Sequence, residues 1–158
     1  MTLPRSARRV QAALHSLGLD VEVVELDDST RTAPEAAAAV GCELGAIVKS
    51  LVFRGAESGE PVLVMVSGDR RADEAALADA LGEPVARADA DWVREKTGYA
   101  IGGVPPVGHP APVRTLMDDD LMRFDTVWAA AGTPRTVFPI APAELARVTG
   151  AAPARRRG

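Results

Sequence analysis

The chain has 158 residues, with 18 Lys or Arg against 22 Asp or Glu, a formal charge of −4, and 47% apolar and 25% charged residues. That balance excludes a disordered chain, and the absence of any apolar run near about 20 residues excludes a helical membrane span. A chain of this length buries roughly 70% of its unfolded surface, so one core is expected, with no need of a disulfide or a structural metal.

Cys42 is the sole cysteine, which rules out an internal disulfide. The start MTLPRSARRV lacks the roughly 7 to 15 apolar residues of a secretory signal, so the cytoplasm is the expected compartment and no membrane is expected as a partner. Charge is unevenly placed, because Arg5, Arg8 and Arg9 lie near one end and Arg155, Arg156 and Arg157 near the other. The body between them is therefore more acidic than the whole. Such a body argues against a broad phosphate-tracking surface, while allowing a few contacts to a short single-stranded nucleic-acid end. Residues 151–158 read as a basic, disordered tail beyond a single domain over 1–150.

In chain order, Val10, Ala13, Leu14 and Leu17 recur at helical spacing within 4–17, with Gly18 as the stop. Residues 21–26 read as a strand. Thr32 followed by Glu35 is a capping-box signal for a short helix that Gly41 closes. The runs 46–53 and 61–67, joined by RGAESGE, read as a hairpin central to a sheet. Two acid-started helices, 73–81 and 89–97, flank a short strand at 84–88. Residues 98–112, GYAIGGVPPVGHPAP, hold four glycines and four prolines, which predicts a rigid loop. Strands follow at 113–117, 126–130 and 135–140, the first two separated by an acidic helical turn, and a helix at 142–149 closes the domain. The irregular alternation and the hairpin joins predict an α+β fold: one mixed, mostly antiparallel sheet with surrounding helices.

Lys49 is one of only two lysines, and it stands in the apolar run AIVKSLVF. A buried ammonium is costly, so this one either snorkels to an edge or holds an anionic or carbonyl group in a cleft. Ser50 points to the opposite face of a regular strand. In the loop, glycines allow close backbone approach and prolines fix the peptides between them. Gly102, Gly103, Pro106 and His109 thus form either a recognition rim or a rigid connection. Cys42, with no histidine near it in sequence, reads as a structural thiol. His15 and His109 sit in no zinc-binding spacing, and Asp118, Asp119 and Asp120 read as a helix cap. There is no dinucleotide fingerprint, Walker A sequence or GxSxG elbow, and no cofactor is implied.

The order TRTAPEAAAAVG, IVKSLVF, IGGVPPVGH and DTVWAAAGTPRTVFPIAPAELARVTG resembles the YbaK/prolyl-tRNA-synthetase-associated domain family over nearly the whole chain. The resemblance implies a mixed α/β editing-domain fold and hydrolysis of the ester joining a wrong amino acid to tRNA. It matches Lys49 to the family's active-site lysine, Gly102 and Pro106 to its GxxxP loop, and His109 to the histidine that ends that loop. Ala131 and Gly132 correspond to a small-residue turn near the pocket, and Ser50 to a position that varies with substrate. The implied partners are the 3′ end of a mischarged tRNA and a synthetase or elongation factor, with Ala, Ser, Thr or Cys as the acyl group. The competing reading is a non-catalytic module that binds aminoacyl-adenosine or docks on a translation protein.

Overall fold

The structure, a computed structural model, describes residues 3–27, 30 and 32–154. Among these residues eight strands and five α-helices alternate irregularly: α1 (Arg5–Ser16), β1 (Val24–Glu25), α2 (Ala33–Val40), β2 (Val48–Gly55), β3 (Pro61–Ser67), α3 (Glu74–Leu81), β4 (Val85–Arg87), α4 (Ala90–Thr97), β5 (Arg114–Asp118), β6 (Val127–Ala130), β7 (Thr136–Ile140), α5 (Pro142–Thr149) and β8 (Ala152–Ala154). Local chemistry sets several boundaries. Thr32 Oγ1 accepts from the Glu35 amide at 3.3 Å, Asp73 Oδ1 from Ala76 at 3.1 Å and Asp89 Oδ1 from Trp92 at 2.8 Å, so α2, α3 and α4 each begin on a side-chain cap.

The strands form two sheets, ordered β1-β7-β6 and β4-β2-β3-β5-β8, where the sequence predicts one. A single parallel bridge between Ile47 and Trp128 joins them. The pairings of β2 with β3 and β4, and of β7 with β1 and β6, are antiparallel, while β3–β5 and β5–β8 are parallel. The fold is α+β, with a sheet system that is mixed and mostly antiparallel. Within it β3 is the central strand, and Leu63 and Met65 are fully buried. They pack against Val10 and Leu14 of α1 and against Phe138 and Leu145 in the main core; each such side chain contributes about 1.5–3 kcal/mol. On the opposite face Val62, Val64 and Val66 pack under Leu77 of α3.

Three expectations need correction. Only Val24 and Glu25 of the strand expected over 21–26 pair with β7. Ahead of them the Gln11 side chain substitutes for a partner strand, donating to Val21 O and accepting from Val23 N, both at 2.8 Å. The tail does not begin at 151: Leu116 pairs with Ala152, Met117 with Pro153 and Asp118 with Ala154. The apolar AAPA segment covers the otherwise free edge of β5, whereas Arg155–Arg157 lie outside the described residues. Finally, β2 is not an interior strand along its whole length, and this departure creates the site.

Candidate functional site

On one side β2 is paired throughout with β3, from Val48–Ser67 to Arg54–Pro61. On the other side β4 pairs only with Phe53, Arg54 and Gly55, and ladder pairing with β6 is confined to the bridge at Ile47, just ahead of β2. Among the described residues no strand pairs with this edge from 48 to 52. Gly55 donates its N–H to Glu60 O and accepts from Gly59 N, so the odd-numbered residues of β2 direct their backbone groups toward β3. By alternation, the peptide groups of Ser50 and Val52 face the open edge. Unpaired strand-edge amides are ready hydrogen-bonding groups for a ligand.

A groove of about 930 Å³ lies along this edge. Residues 47–53, Lys49 and Ser50 among them, form its floor, and it is also lined by Thr32, Ala33 and Ala36 at the start of α2 and by Arg71, Ala72 and Glu74. Trp128 and Ala130 of β6, Thr136 and Val137 of β7, and Ile101, Gly102 and Pro134 from two loops complete the walls, with Arg87 and Ala88 at the β4 end.

Lys49 is half-buried on this floor, and its ammonium donates to the carbonyl of Arg70. It is neither sealed in the core nor loose in solvent. The loop carrying that carbonyl is itself braced. Arg123 Nη2 donates to both carboxylate oxygens of Asp69 at 2.9 and 2.8 Å and to Ser67 Oγ at 3.2 Å. Ser67 Oγ donates in turn to Gly45 O, and Arg70 Nε lies 3.4 Å from Asp120. The Arg123 guanidinium holds the Asp69 carboxyl below the usual carboxylate range. On the other face of β2, Ser50 Oγ is buried without a hydrogen-bond partner and the residue lines the groove. An unsatisfied buried hydroxyl carries a desolvation cost, and a bound polar group would relieve it.

Of the eight residues singled out from sequence, Lys49, Ser50 and Gly102 line the groove; Gly103, Pro106, His109, Ala131 and Gly132 do not. The expected rim is therefore narrower than the motif. Gly103 is buried behind Gly102, where an added Cβ would come within 2.6 Å of Thr133 Cα, and its carbonyl accepts from the Gly132 amide at 3.0 Å. The same addition at Gly132 would meet Ser6 O of α1 at 2.7 Å. Ala131 is fully buried in the main core with Val127 and Ala129. The pleat that sends these three inward sends Trp128 and Ala130 to the groove, so the small-residue signal falls one position from the wall.

His109 stacks edge-on against Tyr99 with ring centroids 5.7 Å apart. Its Nε2 lies 2.7 Å from Pro105 O. Because a carbonyl only accepts, Nε2 carries the proton and Nδ1 is left buried without a partner. Burial holds the imidazole below its ordinary pKa. Tyr99 donates to Gly108 O at 2.6 Å, so this pair of rings fixes the Gly/Pro loop from behind rather than presenting a group to the groove.

Residues that the sequence reading missed include Arg71, Arg87, Trp128, Ala130 and Thr136. Alternation along 126–130 was the available signal for Trp128 and Ala130. The remaining candidates are structural. Burial, followed by the nearby Glu43, pushes the Cys42 thiol up, away from thiolate chemistry at neutral pH. Asp118 accepts from the Asp120 amide at 2.9 Å as the cap of a 3₁₀ turn, and no metal-holding cluster occurs among the described residues. Nor is any helix of the described residues long and apolar enough to cross a membrane.

Comparison with known proteins bears on what such a groove does. A family profile described as the aminoacyl-tRNA editing domain matches residues 27–148. YwhH of Bacillus subtilis is 34% identical over 124 residues, 78% of each chain. EbsC of Enterococcus faecalis, named as a candidate Cys-tRNA(Pro)/Cys-tRNA(Cys) deacylase, is 28% identical over 75% of this chain and 72% of its own. A solved structure described as a candidate trans-editing enzyme for prolyl tRNA synthetase superposes with a TM-score of 0.94 at 52% identity, covering 99% of this chain and 100% of that one.

Proposed function

The chain belongs to the aminoacyl-tRNA editing family, and from that membership we propose that it is a trans-editing hydrolase, cleaving the ester between a wrongly attached small amino acid and the 3′ end of tRNA. The observation that carries this reading is the placement of the Lys49 ammonium on the floor of an open-edge groove that also presents Gly102 and an unsatisfied Ser50 hydroxyl.

The chemistry asks little of the protein. An aminoacyl ester is activated by its own α-ammonium group, so a positioned water can attack the carbonyl without a nucleophilic side chain. The carbon–oxygen bond to the ribose breaks, the ribose hydroxyl regains a proton, and the free amino acid and intact tRNA leave. Charge develops on the carbonyl oxygen during attack. Lys49, anchored at one N–H by Arg70 O, directs its positive charge at that oxygen, a contribution of about 3–4 kcal/mol by analogy with single oxyanion donors. The outward peptide groups of Ser50 and Val52 and the Ser50 hydroxyl orient the aminoacyl group, and small walls such as Ala33, Ala36 and Ala130 limit its size, as an editing sieve requires.

The test is a panel of tRNAs charged with Ala, Ser, Thr, Cys and Pro, incubated with purified protein and followed for ester loss. At least one of the small acyl groups is expected to be released faster than in buffer, and Lys49→Ala to slow that release about 10²–10³-fold. Protection of every ester from spontaneous hydrolysis would instead make the protein a binding module, and a Lys49→Ala variant as fast as the wild type would remove the lysine from the mechanism.

A further inference from the structure

The groove has a charge opposite to that of the protein. The chain carries −4 overall, yet among the described residues the groove is lined by three cations, Lys49, Arg71 and Arg87, against the single carboxylate of Glu74. An acidic protein that gathers cations along one cleft focuses its positive potential there and draws an anion into it. In the reading above, on which this inference rests, Lys49 is committed to the ester carbonyl, so a phosphate drawn into the groove needs another cation to meet it.

Arg87 is placed for a distinct one. It pairs directly across from Phe53, and residues opposite each other in an antiparallel ladder share a sheet face. Lys49 and Phe53 are four residues apart on one strand and also share a face. Arg87 therefore stands on the same face as the reactive lysine, displaced along the groove by about 13 Å at the strand rise of about 3.3 Å per residue. It is exposed, and among the described residues no carboxylate lies within ion-pair distance of it. A guanidinium that keeps both its charge and its hydrogen-bonding fork open toward a cleft is suited to a phosphodiester.

We propose that Arg87 is a phosphate-binding residue for the single-stranded 3′ end of the RNA, gripping the backbone one or two nucleotides before the terminal adenosine while Lys49 meets the ester. The groove thereby reads a charged ribose-phosphate end, a few contacts deep, and the acidic remainder of the surface keeps the duplex from spreading over the protein. Arg71, beside the carbonyl that anchors Lys49, adds to the same potential.

Binding of an uncharged RNA hairpin with a CCA end, measured by fluorescence anisotropy across a salt series, tests this without requiring hydrolysis. Arg87→Ala is expected to weaken binding about tenfold and to reduce the slope of log K against log salt by about 0.7, the share of one single-strand phosphate contact. Arg87→Lys, which keeps a point charge but loses the fork, is expected to fall between. A hairpin whose last phosphates are neutral methylphosphonates supplies the control: wild type should bind it about tenfold more weakly than the natural hairpin, and Arg87→Ala should then cost little more, because the partner is already gone. Unchanged affinity and slope in Arg87→Ala, or equal losses on both hairpins, would overturn the assignment. Failure of the charged-tRNA panel with this binding pattern intact would refute the hydrolase and leave the phosphate site standing.

Discussion

Gly102 and Gly103 are adjacent, and the structure gives them different reasons for being glycine, so their alanine variants should fail differently. At Gly103 the obstacle is space. An added Cβ would lie 2.6 Å from both Thr133 Cα and Thr133 C and 2.9 Å from Thr133 N, all backbone, whereas ordinary carbon contacts sit at about 3.5–4.0 Å. The turn must retreat by about 1 Å. Overpacking of this kind costs about 1–3 kcal/mol, and loss of the 3.0 Å bond from Gly132 N to Gly103 O adds about 1 kcal/mol. The expected loss is about 2–4 kcal/mol, a fall in Tm of about 5–15 °C for a chain of this size. At Gly102 the nearest atom, Pro134 Cγ, is 3.9 Å away and the obstacle is φ of +88°, a left-handed conformation that costs an L-residue about 1–2 kcal/mol. Urea unfolding of both variants gives the ranking directly, and because Pro134 is part of the groove wall, Gly103→Ala should also raise KM for the charged tRNA. Gly103→Ala within about 0.5 kcal/mol of wild type, or less damaging than Gly102→Ala, would refute the close-approach argument.

Two further outcomes follow from the site's surroundings. His109 is held below its ordinary pKa by burial, so the unfolded chain binds a proton more readily than the folded one: stability is highest above about pH 6.5 and is lost as pH falls from there toward the folded value. His109→Gln keeps a donor for Pro105 O and should flatten that part of a pH series of urea midpoints, leaving only carboxylate losses at lower pH; an identical pH dependence in the two proteins would contradict it. Asp69→Asn breaks an exposed ion pair worth no more than about 1 kcal/mol of stability. Since it loosens the loop that carries the Lys49 acceptor, it should still lower kcat several-fold at little change in KM, and an unaltered kcat would sever the brace from the lysine.

Much of the fold follows from local signals. The Thr32, Asp73 and Asp89 caps fix three helix starts, and the β2–β3 hairpin forms in the register that its turn-rich connection allows. Local signals fail where a strand's partner is not a strand. Residues 21–23 look like β structure and yet satisfy the Gln11 amide, and AAPA looks like a tail and yet completes an edge. Neither outcome is encoded within the segment itself, because the deciding groups lie on α1 and β5.

The same distinction governs the site. Lys49 was legible because an ammonium in an apolar strand must be accounted for, whatever surrounds it. The apolar run around it points to an interior strand, which holds only where β4 pairs with it, and for a physical reason: hydrophobicity reports which faces of a strand are covered, and the open feature here is part of one edge. Both faces of β2 are packed, by the main core and by the α3 cluster, while β4 is only three residues long and the ladder pairing with β6 is a single bridge at Ile47. The unpaired stretch between them is set by the lengths of two other strands. It places peptide groups, the Lys49 charge and a buried hydroxyl together without a nucleophilic side chain or a general base among them. For the proposed hydrolysis of an ester activated by its own ammonium, the barrier left to the protein is one of orientation and of charge on a single oxygen, which such an arrangement can address. Under the proposed function, the choice of amino acid would be set by small wall residues such as Ala33, Ala36 and Ala130, which can change without disturbing either the lysine or the strand ladder beneath it.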